Sequence, residues 1–247
     1  MSFLKGLFES KSVSGIADLE TDIHSHFLPG IDDGCKTVEE AVDLLKQYES
    51  TGIKRVVCTS HIMKEFYKNT PETISKAYGI LQAACKEANI FIELHYAAEY
   101  LIDEHLEELI EKDEILHFGK NKFVLTELSY FTPFKAYRDI ISKLQQKGYT
   151  VILAHPERYS YWHYDLSTLR DLHRNGVLMQ VNLPSLAAYY GNTVRKHAIT
   201  LIRKGLIDLA GGDIHNQRYL NAVINSQKDK AFGNAMKYNV FKNKLLF

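Results

Sequence analysis

Two histidines spaced one residue apart, His24 and His26, stand at the end of a short β-like run near the start of the chain. In an extended strand, side chains two positions apart point to the same side, so both rings face one way. A loop containing Pro and Gly follows and brings in Asp32 and Asp33. Imidazole and carboxylate groups together suit zinc, manganese or iron. This stretch therefore predicts the beginning of a metal site.

The same residue types recur where later β-like runs end. In a parallel β/α barrel the carboxyl ends of all strands lie on one face, where active sites are built, so these side chains are expected to meet. The set exceeds what one ion needs, and several carboxylates brought together require cations to neutralise them. We therefore predict two or three divalent ions with bridging carboxylates. The predicted ligands are His24, His26, Asp33, His61, Glu99, Glu127, His155, Asp213 and His215.

Seven β-like runs, nearly all alternating with helical segments, must position these ligands. Such βα units predict a parallel sheet, and seven of them favour a closed or nearly closed barrel, with a doubly wound open sheet as the competing topology. We predict an N-terminal arm over residues 1–19 and one domain over 20–247, including a C-terminal helix. The runs cover residues 20–26, 54–61, 90–99, 123–127, 150–155, 177–182 and 207–215.

Composition limits the partners and the compartment. Thirty basic residues balance thirty acidic ones, so no overall field favours a nucleic acid. No apolar run approaches the roughly 20 residues that span a bilayer, and no secretory leader is recognisable. Three dispersed cysteines suit a reducing compartment, so we expect a cytoplasmic protein. None of them has an arginine six positions later, which excludes a cysteine phosphatase loop.

Six sequence blocks resemble the polymerase-and-histidinol-phosphatase (PHP) superfamily. Within it, the chain is similar to bacterial PHP-type protein-tyrosine phosphatases of capsule and exopolysaccharide control. The resemblance runs from about residue 20 to 220 and implies a distorted seven-stranded TIM-like βα barrel with a trinuclear site. Manganese is the first expectation for the metal, with iron, zinc and cobalt as alternatives. The blocks are 22–34, 59–61, 97–100, 126–128, 155–158 and 212–216.

Two arginines are candidates for holding a phosphoryl group. Arg158 follows His155 by three residues, and a guanidinium there could bind phosphoryl oxygens bidentately and stabilise their charge. Arg218 follows His215 by three residues, although the enzymes that the chain resembles carry such an arginine further along. Asp22 could orient a ligand ring or bond to a backbone amide.

The remaining aromatic residues and histidines are not predicted to be metal ligands or catalytic groups. The aromatic residues after Arg158 could form a wall for a phenyl phosphate ring or a packed loop core. Histidines outside the six blocks are interpreted as surface or structural groups. The aromatic set is Tyr159, Tyr161, Trp162 and Tyr164, and the histidines are His95, His105, His117, His163, His173 and His197.

The prediction from these observations is a metal-dependent phosphomonoesterase that acts on phosphotyrosine in a protein, such as the tail of a bacterial tyrosine autokinase. One alternative is a phosphatase of the same superfamily that acts on histidinol phosphate or another small molecule. Another is a catalytically silent metal-binding regulator. A nuclease is disfavoured by the balanced charge. The oligomeric state is left open.

Overall fold

The computed structural model, which describes residues 15–238 and 240–247, contains nine strands, and helices separate all of them except β2 from β3 and β4 from β5. Every pairing between these strands is parallel. The predicted α/β class with parallel strands is therefore confirmed. The strands are β1 (Thr21–Ser25), β2 (Arg55–Cys58), β3 (His61–Ile62), β4 (Glu93–Tyr96), β5 (Glu99–Leu101), β6 (Phe123–Glu127), β7 (Thr150–Ala154), β8 (Leu178–Asn182) and β9 (Leu209–Gly211).

The strands form two sheets, in the orders β1-β2-β4 and β3-β5-β6-β7-β8-β9. Seven predicted runs become nine strands because two of them break, at 59–60 and at 97–98. At the breaks, Thr59 N donates to Ser25 O and Ala97 N donates to Cys58 O. Each broken run thus contributes one strand to each sheet. Within the described residues, the strand pairing gives no closed seven-stranded barrel.

Side-chain caps that the sequence supplies begin five of the nine described helices. The Thr37 hydroxyl accepts from Glu40 N, and Thr70 caps the helix that begins at Pro71, a residue whose missing N–H costs nothing there. All described helices are too short or too polar to span a bilayer. They are α1 (Val38–Glu49), α2 (Pro71–Glu87), α3 (Glu104–Glu111), α4 (Tyr137–Gln146), α5 (Ser167–Arg174), α6 (Leu183–Leu186), α7 (Asn192–Arg203), α8 (Gln217–Ser226) and α9 (Lys230–Lys237).

Buried apolar side chains form two separate clusters. The larger one includes the apolar faces of the helices. The smaller one joins residues of five strands, among them Ile23 and Ile152, to Leu246 in the C-terminal tail. The tail packs where the strands begin, because the Asn243 amide donates to Thr21 O and accepts from Ala210 N. It closes the end of the strands opposite the predicted metal site.

The predicted N-terminal arm is partly described. Ile16–Leu19 form a 3-10 helix in which Ile16 and Leu19 are buried in the larger cluster. Residues 15–19 therefore belong to the packed structure. Residues 1–14 lie outside the described part of the chain.

Candidate metal centre

The structure brings all nine predicted metal ligands together. Eight of them lie within four residues of the end of a strand. The ninth, Asp33, lies in the loop that follows β1. They form four overlapping groups in which the ligand atoms lie within 4.8 Å of one another. The groups are His26, Asp33, His61 and His215; His24, His26 and Asp213; His24, Glu99 and His155; and His61, Glu99 and Glu127.

Buried carboxylates face the imidazole rings across this cluster. Glu99 Oε2 lies 3.1 Å from His24 Nε2 and Glu99 Oε1 lies 3.1 Å from His155 Nε2. Burial by itself lowers the pKa of His24, but Glu99 and Asp213 outweigh it and raise the pKa to about 9. Burial opposes ionisation of Glu99, yet the surrounding rings hold its pKa well below the usual range. The field of the carboxylates therefore favours positive charge in this space.

Several ligand atoms in the cluster lack hydrogen-bond partners among the described residues although they are buried. They include His26 Nε2, His61 Nδ1 and Glu127 Oε1. The last two approach to 3.1 Å without forming a hydrogen bond. A buried polar atom left unpaired is costly, and mixed nitrogen and oxygen donors suit divalent transition metals. The residues present thus fit divalent metal ions.

Two of these ligands adopt left-handed backbone conformations. His155 has φ 37° and Asp213 has φ 49°, a region that residues other than glycine rarely occupy. His155 N donates to Gln180 O, and Asp213 N donates to His24 O, both at 2.7 Å. These bonds hold the strained residues in place, and such strain concentrates at functional sites.

A chain of side-chain amides, which sequence reasoning missed, connects two ligands. His24 Nδ1 lies 2.9 Å from Gln180 Oε1, and Gln180 Nε2 donates to Asn182 Oδ1 at 2.8 Å. Asn182 Nδ2 then donates to Asp213 Oδ2 at 2.6 Å. The consistent direction of these bonds places the proton of neutral His24 on Nδ1 and leaves Nε2 free for a metal. The available signal was the pair of amides two positions apart in an otherwise apolar strand.

Two aspartates support the histidine pair in different ways. Asp32 Oδ2 lies 3.0 Å from His26 Nδ1, so Asp32, which was not among the predicted site residues, orients that ring. Asp22 instead accepts from the backbone N–H groups of His24 and Gly212, and from a tyrosine hydroxyl. Of the two roles open for Asp22, the structure shows the bond to backbone amides.

The two predicted arginines lie in different surroundings. Arg158 lines the cavity over the cluster, and its Nη1 lies 3.3 Å from Asp213 Oδ2. Its guanidinium carbon lies 4.5 Å from the ring centre of Tyr130 and 4.2 Å from that of Tyr190. Arg218 is exposed in the first turn of α8, where its backbone N–H bonds to Asn216. Arg218 is absent from the cavity lining among the described residues, and its role as a second phosphate clamp stays a prediction.

The aromatic lining of the cavity, about 170 Å³ in volume, does not come from the residues after Arg158. Tyr159 is fully buried and its hydroxyl accepts from Leu128 N, whereas Tyr164 is fully exposed. The predicted aromatic set is thus a packed loop core with one exposed member. The lining residues are Asp33, His61, Met63, Tyr67, Glu99, Glu127, Tyr130, His155, Arg158, Asp213, His215 and Tyr219.

The remaining histidines and the cysteines play no part in this cavity. His197 is buried with its ring 4.2 Å from that of His163, and burial together with His163 lowers its pKa to about 4. All three cysteines are buried free thiols. Burial raises the pKa of Cys85 to about 11, so it is a poor nucleophile.

Comparisons with known proteins agree with this geometry. A family model described as "Capsular polysaccharide synthesis, CpsB/CapC" matches residues 20–240. CapC of Staphylococcus aureus is 30% identical and covers 85% of this chain and 84% of its own length. Tyrosine-protein phosphatase YwqE of Bacillus subtilis is 26% identical over 90% of this chain and 89% of its own.

A solved structure is similar over the same range. It is described as YwqE from Bacillus subtilis and CpsB from Streptococcus pneumoniae, unique metal-dependent tyrosine phosphatases. It is 25% identical, covers 92% of this chain and 93% of its own, and superposes with a TM-score of 0.81. The range matched by the family model, residues 20–240, spans the positions of all nine clustered residues.

Proposed function

Because this chain belongs to the CpsB/CapC family of capsular polysaccharide synthesis, we propose that it is a metal-dependent protein-tyrosine phosphatase. The observation that carries the proposal is the cluster of five histidines and four carboxylates, with Arg158 in the lining of the same cavity. Nine potential ligands in overlapping groups suit two or three divalent ions, with manganese as the first candidate.

The four groups of ligands supply the positions for these ions. Divalent ions held by these residues would lower the pKa of coordinated water and neutralise phosphoryl charge. Glu99 belongs to two of the groups, as do His24, His26 and His61, so Glu99 is the one carboxylate of the four that would serve two of these positions. Gln180 and Asp32 keep the His24 and His26 rings oriented towards the cluster.

Arg158 binds the phosphoryl oxygens in this proposal. The two tyrosine rings beside its guanidinium restrict its motion, and a fixed planar fork stabilises oxygens that gain charge during transfer. Its contact with Asp213 places the positive charge at the edge of the ligand cluster. The guanidinium can therefore hold the phosphoryl group against the cluster while it is transferred.

Three tyrosines hold the phenol of the substrate. Tyr67 stacks on His61 with a ring distance of 5.3 Å, and Tyr219 lies 4.8 Å from the His215 ring. The third, Tyr130, borders the cavity from the loop after β6. Aromatic pairs favour offset or edge contacts, so these rings accept a phenyl phosphate better than an aliphatic one.

The remaining parts of the proposal concern the fold, the partner and the compartment. The two sheets act as one distorted seven-unit barrel, because a bridge from Ser25 to Ile214 continues the circuit from β1 to β9. Residues 20–247 form its single domain. The substrate is a phosphotyrosine segment of a cytoplasmic protein, such as the tail of a tyrosine kinase, and three free thiols support a reducing compartment.

Phosphate release tests this proposal. Protein stripped with a chelator and reloaded with Mn²⁺ would be given a phosphotyrosine peptide, a phosphoserine peptide of the same sequence, and histidinol phosphate. We expect release from the phosphotyrosine peptide, dependent on metal and lost in His26→Ala. Release from histidinol phosphate alone would assign a small-molecule phosphatase. Metal binding without release from any substrate would assign a regulator and contradict the proposal.

A further inference from the structure

A second cavity, of about 480 Å³, lies beside the metal-binding cavity. It is a groove between the end of β5 and the loop that follows β6. The groove is lined by Leu101, Ile102, Asp103, Ser129, Thr132, Pro133, Phe134 and Lys135.

The groove begins at the strands that carry two of the clustered carboxylates. Leu101 pairs in register with Glu127, and Ile102 N donates to Glu127 O at 2.9 Å. Leu101 is two residues after Glu99, and Ser129 is two residues after Glu127. Two residues of extended chain span about 7 Å. If the phosphotyrosine of a peptide occupies the metal-binding cavity, a residue up to about three positions away from it in the peptide can therefore reach the groove.

The chemistry of the groove suits an apolar side chain. Leu101, Ile102, Pro133 and Phe134 present carbon atoms, and the Asp103 carboxylate is already engaged in capping α3. Lys135 is exposed and makes no ion pair among the described residues, so positive charge borders the groove. An apolar residue near the phosphotyrosine matches the carbon lining, and an acidic neighbour of that residue can pair with Lys135.

Phe131 lies in the chain between the two cavities and is 93% exposed. Its neighbour on one side, Tyr130, lines the metal-binding cavity, and Thr132 on the other side lines the groove. The loop is held by Tyr161, whose hydroxyl donates to Ser129 O at 3.0 Å. Phe131 therefore adds exposed carbon surface next to the apolar lining of the groove, and a contiguous exposed apolar surface, unlike a single exposed residue, is typical of a binding site.

We propose that this groove binds an apolar side chain of the phosphotyrosine substrate, one to three residues from the phosphotyrosine, with Phe131 contacting the peptide between the two sites. The proposal rests on the phosphatase function proposed above. It assigns to the loop 129–135 the selection of sequence around the phosphotyrosine, in addition to the recognition of the phosphotyrosine itself.

A peptide series tests the groove with the metal-loaded protein. Each peptide carries a central phosphotyrosine among Gly, Ser and Glu residues, and one Leu is moved through the three positions on either side. Wild-type kcat/KM should be about tenfold higher for at least one Leu position than for the peptide without Leu. Phe131→Ser and Thr132→Trp should reduce this preference to less than threefold. Both variants should hydrolyse p-nitrophenyl phosphate at the wild-type rate.

Phe91→Ser is the matched control, because Phe91 is 86% exposed and precedes β4, at the opposite end of the strands. It should keep the full preference. Equal kcat/KM across the peptide series, or a preference unchanged in both groove variants, would overturn the proposal. A change of oligomeric state in Thr132→Trp with an unchanged preference would assign the groove to a second copy of the chain and also overturn it.

The groove and the phosphatase function fail in different ways. Phosphate release from every peptide without regard to Leu would refute the groove alone. No release from the peptides or from p-nitrophenyl phosphate would refute the phosphatase function and the groove with it.

Discussion

Replacing Gln180 by Leu removes the amide that orients one metal ligand while nearly preserving its volume. Gln180 Oε1 accepts from His24 Nδ1, and Gln180 Nε2 donates to Asn182 Oδ1. Gln180 and His24 are both fully buried, and no other hydrogen-bond partner of His24 Nδ1 is present among the described residues. In Gln180→Leu the ring loses the bond that keeps Nε2 directed at Glu99 and Asp213.

The magnitude follows from this loss. A buried donor left unpaired costs about 1–3 kcal/mol, and about 1.4 kcal/mol corresponds to a factor of ten. We therefore expect Gln180→Leu to weaken Mn²⁺ binding by about 10–100-fold, the range typical for groups that orient metal-binding histidines. At saturating Mn²⁺ the loss in kcat/KM should be smaller than at limiting Mn²⁺, because excess metal restores occupancy.

The assay is a Mn²⁺ titration of chelator-stripped protein, read by calorimetry and by phosphate release from a phosphotyrosine peptide. Gln82→Leu is the control, since Gln82 is exposed on α2 and, within the part of the chain that the structure describes, its amide donates only to the Tyr78 hydroxyl. It should bind Mn²⁺ like the wild type. Affinity within twofold of wild type in Gln180→Leu would refute the role assigned to the amide chain.

Three further perturbations have defined outcomes. Arg158→Lys keeps the charge but loses the planar fork, so kcat/KM for the phosphotyrosine peptide should fall about 100-fold with Mn²⁺ affinity unchanged in the same titration; unchanged kcat/KM would contradict the proposed clamp. Burial lowers the pKa of His197 to about 4 from about 6.5 in an unfolded chain, so the folded state excludes a proton that the unfolded state binds. The free energy of unfolding should therefore fall by up to about 3 kcal/mol as the pH drops from 6.5 through 4. Urea unfolding of His197→Gln should not show this pH dependence. The same pH dependence in the variant would exclude His197 as its source. Deleting Leu246 and Phe247 uncovers the smaller apolar cluster and should lower the free energy of unfolding by about 2–3 kcal/mol, whereas an unchanged urea midpoint would show that the tail does not stabilise the strands.

The positions of eight of the nine clustered ligands could be predicted because these residues lie at or near strand ends, whereas Asp33 lies in the loop after β1. A histidine such as His155 directly after an apolar β-like run must lie on the same face as Glu127 at the end of another such run. The parallel α/β class follows from the same alternation. The breaks at 59–60 and 97–98 could not be foreseen, because these short uncharged residues fit an unbroken strand equally well.

Side-chain partners far apart in sequence were beyond prediction for a different reason. Gln180 is 156 residues from His24, and an amide is not itself a metal-binding group, so nothing local marks it. Tyr67 lies in the loop after β3 and Tyr219 in the first turn of α8, and whether these two elements meet over the cluster depends on tertiary packing. The aromatic run after Arg158 drew attention by its density, yet dense aromatic runs pack together when the loop can bury them.

The measurement that tests the central claim most directly follows bound manganese and activity in the same samples. Mn²⁺ would be added stepwise to stripped protein, and bound ions per chain and phosphate release from a phosphotyrosine peptide would be measured at each step. We expect no phosphate release without metal, and release that rises with occupancy until two or three ions are bound per chain. A double His24→Ala, His26→Ala variant should reach neither this occupancy nor this rate of release. Full activity in stripped protein, or full occupancy without release, would contradict the metal-dependent phosphatase described here.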